Sequence, residues 1–134
     1  MTDRQRQLID DLNLIEDPQE RLTIVVDRAR RHPPLPEAQR TDAQRVPGCI
    51  SQVWLVPELR EGVCQFHCDA DGPLVKGLVA LVCEFYSDTT PADIIADTTD
   101  PLAELRLLGN LSPTRQNGLA AVRTAIRTFA QNNT

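Results

Sequence analysis

Four times along this chain a short polar residue stands directly before a proline: Asp17-Pro18, Thr90-Pro91, Asp100-Pro101 and Ser112-Pro113. A side-chain oxygen before the proline accepts from N–H groups of a first helical turn. Proline at the first helical position costs nothing, because that N–H has no acceptor within the helix. Each pair therefore predicts a helix start and a boundary with whatever precedes it. With Thr2-Asp3 heading a first segment, the signals give helices over about residues 3–16 and 18–32, two short helices after Thr90 and Asp100, and a long one over about 113–131. Apolar residues recur at helical spacing inside them: Leu8, Ile9, Leu12 and Ile15, then Leu22, Val25, Val26 and Ala29, and finally Leu119, Val122, Ile126 and Phe129. On the last helix Arg115, Arg123 and Arg127 fall elsewhere on the surface. His32-Pro33-Pro34 stops the second helix, and Leu108-Gly109 separates the short helices from the last.

The middle of the chain reads differently. Residues 33–45 carry three prolines among polar side chains and are expected to form an extended connector. Val53–Val56 has β-branched and aromatic character, and Val63–Cys68 alternates, so the two pair as a hairpin around a turn over Glu58–Gly62. Asp71 is expected to cap a third helix over about residues 72–86, the most apolar in the chain. Helices on both sides of a short antiparallel sheet make an α+β domain, and 134 residues suit one domain with one core. A net charge of −5 offers no basic face for a nucleic acid. No apolar run approaches the roughly 18 residues of a membrane span. A cytoplasmic location with reduced thiols is therefore expected for the four cysteines.

One of those cysteines stands apart. In Arg45-Val46-Pro47-Gly48-Cys49-Ile50-Ser51-Gln52-Val53-Trp54-Leu55, Pro47 fixes its own φ and Gly48 tolerates positive φ, so the pair suits a turn. Cys49 is thereby placed on a loop anchored by the strand that follows. The stretch from Gly48 to Leu55 resembles the active-site segment of the SufE-like sulfur acceptors of iron-sulfur cluster assembly. Asp69-Ala70-Asp71 with Leu74-Val75-Lys76-Gly77-Leu78 resembles that family's acidic turn and following helix, and Leu111–Leu119 resembles its C-terminal signature. The resemblance rests on these three ordered motifs and spans roughly Leu8 to Phe129. Ala70, where the family usually has serine, and Gly72-Pro73 depart from the pattern.

The resemblance implies that Cys49 takes persulfide sulfur from a cysteine desulfurase of the SufS or CsdA type and hands it to a downstream acceptor or iron-sulfur scaffold. Gly48, Ser51, Arg45, Asp71 and Arg115 are then the residues expected to support the loop or meet the partner. No metal and no resident cofactor are expected; pyridoxal phosphate belongs to the partner, and the chain would activate that enzyme without turnover of its own. Homodimerisation stays open. The alternative is a cluster scaffold of IscU-like shape, which needs three or four convergent ligands. The other cysteines weigh against it. Cys64 and Cys68 lie four strand residues apart, about 13 Å, too far for a mutual disulfide, and alternation turns His67 to the opposite face. Cys83 falls on the apolar third helix as a core residue.

Overall fold

The computed structural model describes residues 1–48, 52–109 and 111–134. Each polar-proline pair opens a helix. α1 (Asp3–Asn13) starts at Thr2 with a capping box, its hydroxyl accepting from Gln5 N–H while the Gln5 side chain accepts from Thr2 N–H. α2 (Pro18–Arg30) is capped by Asp17, and α4 (Pro91–Ala96), α5 (Pro101–Glu104) and α6 (Pro113–Gln131) by Thr90, Asp100 and Ser112. α1 stops three residues short of the expected end, leaving Leu14 79% exposed. The connector is less extended than its prolines suggested, with single 3₁₀ turns over Glu37–Gln39 and Asp42–Gln44.

Among the described residues the sheet is one antiparallel pair, β1 (Val53–Arg60) and β2 (Val63–Ala70), in register from Val53 opposite Ala70 to Arg60 opposite Val63. The expected turn over Glu58–Gly62 is wrong: the strand runs through Pro57 to Arg60, and only Glu61 and Gly62 reverse the chain. Both have positive φ, 53° and 83°, the backbone of a two-residue turn whose twist matches the strands. Proline is admitted to β1 because its nitrogen faces away from β2. Its partner Phe66 likewise turns its N–H outward, onto Ser87 Oγ at 3.0 Å.

Alternation puts Val53, Leu55, Cys64, Phe66 and Ala70 in the core. α3 (Pro73–Tyr86) lies against that face, with Leu78, Val79, Val82 and Phe85 almost inaccessible. α6 closes the core with Leu119, Val122, Ile126 and Ala130, and Phe129 meets Phe66 edge to face at 5.8 Å. On the reverse face Asp69 is buried under the connector, while Trp54, Val56, Gln65 and His67 are half-buried or exposed, so helices do not stack on both sides of the sheet as expected. The architecture is α+β.

Two expectations about helix ends are corrected. Asp71 does not cap α3; the cap position is Gly72, at φ 81° and ψ 143°, with no side-chain bond. That conformation suits only glycine, and Asp71 instead lies in the bend just past β2, where its N–H bonds Gln52 O at 3.0 Å. Arg123 and Arg127 are also not simply solvated. Arg127 donates to the carbonyls of Ile94, Ile95 and Asp97 at the end of α4, and Arg123 pairs with Asp100 at 3.4 Å.

Candidate functional site

The segment holding the sequence-predicted nucleophile leaves the sheet and returns to it within a few residues. Val46 N–H donates to Val53 O at 2.8 Å, and Arg45 forms an isolated antiparallel bridge with Trp54. Backbone that would otherwise be an open edge of β1 thus clamps the chain just before Pro47 and just after Gln52. Val46 is 3% exposed and seals this clamp against the core. On the returning side, Gln52 O accepts from Asp71 N–H, so β2 holds the far end of the same loop.

The two described residues at the start of the loop fit the turn expected of them. Pro47 and Gly48 are exposed, and Gly48 has φ 87°, which a residue with a Cβ adopts only under strain. A Cβ at Gly48 would lie 3.6 Å from the Ala121 Cβ of α6. The loop therefore leans on the last helix. Cys49 and Ser51, the expected nucleophile and its neighbour, lie outside the described residues.

The remaining candidates divide. Arg45 and Asp71 both lie at the loop's base, but each contributes its backbone there, and both side chains are exposed. Arg115 sits in the first turn of α6, exposed, its N–H bonded to Ser112 Oγ at 3.2 Å. It precedes Ala121 by six residues, about 9 Å along the helix axis. Its guanidinium pairs with no carboxylate among the described residues. Gln116 beside it is structural, donating to the carbonyls of Leu108 and Leu111 and so fixing the chain before α6.

Three contacts escaped the sequence reading. Ala121 supports the loop; its only signal was a small residue among the large apolar ones of α6. Trp54 is half-buried at the loop base, with the Arg40 guanidinium 5.9 Å from its ring centroid, a contact from the connector that no local pattern announces. Asp69 is 4% exposed. It accepts from Leu35 N–H at 3.1 Å and Ala70 N–H at 2.9 Å, and lies 3.6 Å from Lys76 Nζ. It is the acidic residue of the Asp69-Ala70-Asp71 turn that holds the structure together, tying the connector across the sheet.

The other thiols sit as their spacing implied. Cys64 is fully buried, and burial pushes its pKa up. Cys83 is 3% exposed in α3, and Cys68 is half-buried in β2. A hydrogen bond between Cys68 and Cys83 lowers the Cys68 pKa against burial and the nearby Asp69 charge, and, with burial, raises that of Cys83 well above its usual value. Among the described residues no three histidine, cysteine or acidic side chains converge as a metal site would require.

A family model described as SufE, an Fe-S metabolism associated domain, matches residues 6–130. The chain belongs to the SufE family. An uncharacterised SufE-like protein of Rhizobium etli is 35% identical over 130 residues, covering 93% of this chain and 88% of that protein. A second, from Rhizobium meliloti, is 32% identical and covers 93% of each. Among solved structures, the solution structure of a hypothetical protein from Thermus thermophilus superposes with a TM-score of 0.77 over 96% of this chain and 93% of that one. At 17% identity that likeness speaks for the fold alone. The SufE match assigns the chain to iron-sulfur metabolism, and no described helix is long and apolar enough to cross a membrane.

Proposed function

We propose that this SufE-family protein is a cytoplasmic sulfur acceptor, in which the Cys49 thiolate attacks the terminal sulfur of a persulfide carried by a pyridoxal-phosphate cysteine desulfurase. A new sulfur-sulfur bond forms at Cys49 as the old one breaks, and the donor's cysteine leaves as a thiolate, so no external oxidant or reductant is needed. The rate follows the thiolate fraction, the acidity of the leaving thiol and the access of one sulfur to the other. The sulfur then passes to an iron-sulfur scaffold or another acceptor. The chain itself needs no resident cofactor for this exchange.

The observation that carries the reading is the position of Cys49 in a family-typical segment, directly after a Gly48 turn whose base is clamped between β1 and β2. The other three cysteines belong to regular elements, Cys64 and Cys68 to β2 and Cys83 to α3. The test is intact mass after incubation with a cysteine desulfurase and cysteine. Wild type is expected to gain one sulfur, and Cys49→Ser none. Cys64→Ser, Cys68→Ser and Cys83→Ser are expected to load like wild type. Sulfur retained in Cys49→Ser overturns the assignment.

A further inference from the structure

Beside the sheet the structure carries a groove of about 800 Å³. Its walls come from the connector, with Pro34 and Leu35, from the sheet, with His67, and from α3, with Glu84; Cys68 and Cys83 both line it. These two thiols are on different elements, β2 and α3, which the core holds in contact. We propose that Cys68 and Cys83 form a second, oxidisable thiol site, in which Cys68 is the entry thiol for a peroxide and Cys83 the resolving thiol that closes a reversible disulfide between β2 and α3.

Three observations assign the roles. Cys68 is half-buried, whereas Cys83 is 3% exposed, so an oxidant entering the groove meets Cys68 first. A hydrogen bond between the two thiols favours the charged form of Cys68 and the neutral form of Cys83. The Lys76 charge also favours the Cys68 thiolate, opposing that of Asp69. In the reaction the Cys68 thiolate attacks a peroxide oxygen, the O–O bond breaks, hydroxide leaves, and Cys68 becomes a sulfenic acid. Cys83 then gives up its proton and attacks the Cys68 sulfur; the S–S bond forms as the S–O bond breaks, and water leaves. The two thiols supply the two electrons that reduce the peroxide. Cys64 is fully buried and plays no part.

The experiment does not depend on Cys49 and is done in full-length Cys49→Ser so that the loop thiol cannot contribute. After hydrogen peroxide, intact mass is expected to fall by two hydrogen atoms and to recover on reduction with dithiothreitol. Trypsin cuts after Lys76, between the two cysteines, so the disulfide joins the peptide of residues 61–76 to that of residues 77–106. Cys64→Ala in this background is expected to leave the cross-link unchanged. Cys83→Ala is expected to leave a sulfenic acid on Cys68 that dimedone traps, and Cys68→Ala to abolish both products. Oxygen added to Cys68 without a cross-link while Cys83 is present, a cross-link that survives Cys68→Ala, or all three thiols still open to alkylation after peroxide under denaturing conditions would each overturn the proposal. A failure here leaves persulfide loading at Cys49 untouched, and a failure there leaves this cross-link to be found.

Discussion

Asp69 and Asp71 stand two residues apart in one acidic turn, and the physical difference between them is burial. Asp69 is enclosed, with two backbone N–H groups and the Lys76 ammonium to satisfy it. Removing the carboxylate leaves buried donors unpaired, which costs more than the bonds contribute when made. Asp69→Ala is expected to destabilise the fold by about 2–4 kcal/mol, the range for stripping a partner from buried charged hydrogen bonds. Asp69→Asn keeps one accepting oxygen and is expected to lose less. Asp71→Ala removes an exposed side chain while its N–H bond to Gln52 persists, so a change within about 0.5 kcal/mol is expected. Urea denaturation of the three variants checks the order; an Asp71→Ala loss matching that of Asp69→Ala would refute it. From sequence the two acids were indistinguishable, and the one before Gly72-Pro73 looked like the cap. The information that separates them is Leu35, thirty-four residues upstream of Asp69, which no local reading reaches.

The elements were legible where local chemistry decides them and illegible where pairing does. Proline after Asp17, Thr90, Asp100 and Ser112 marked four helix starts, because capping and the missing N–H act within a single turn. Pro57 misled the strand boundary, since whether a proline interrupts a strand depends on which edge its nitrogen faces. The Glu61-Gly62 turn lacks the asparagine or aspartate that usually announces positive φ at its first position. Contact between elements makes a further demand that sequence hides. A Cβ added to Gly77 of α3 would come within 2.9 Å of the Val26 Cα of α2 and 3.1 Å of its Cγ2. Alanine normally gains about 1 kcal/mol over glycine inside a helix. Here the closer of these contacts is with backbone, and overpacking of this kind costs about 1–3 kcal/mol. Gly77→Ala is therefore expected to lower the unfolding midpoint while far-ultraviolet dichroism of the native state stays unchanged. Adding Val26→Ala, which removes only the Cγ contacts, should recover part of the loss. A Gly77→Ala protein more stable than wild type would show that α2 and α3 do not cross this closely.

At the scale of the whole molecule, the residues flanking Cys49 are held by two bodies of structure. Their base belongs to the sheet, through Val46, Val53 and the Gln52–Asp71 bond, while Gly48 leans on α6 at Ala121. The sequence located the loop and the helix but not their meeting, because Ala121 carries no chemistry and is set there only by the packing of Leu119, Val122 and Ile126 into the shared core. That placement makes α6 a lever on the loop. Ala121→Leu adds three carbons into the space that the Gly48 turn occupies, yet leucine is nearly as good a helix former as alanine and the site is only half-buried. The helix is expected to persist, with stability falling by no more than about 1–2 kcal/mol. The loop must shift, and a displaced nucleophile is costly, since about 1 Å of misplacement can slow a reaction about 100-fold. Desulfurase-dependent sulfur loading of Ala121→Leu is thus expected to slow by about tenfold or more, within that same scale. Ala120→Leu, one residue away on the exposed side of α6, should load like wild type. Comparing initial loading rates by intact mass, with melting temperatures measured alongside, separates loop position from general damage. Wild-type loading by a stable Ala121→Leu protein would mean that the loop acts without its support from α6.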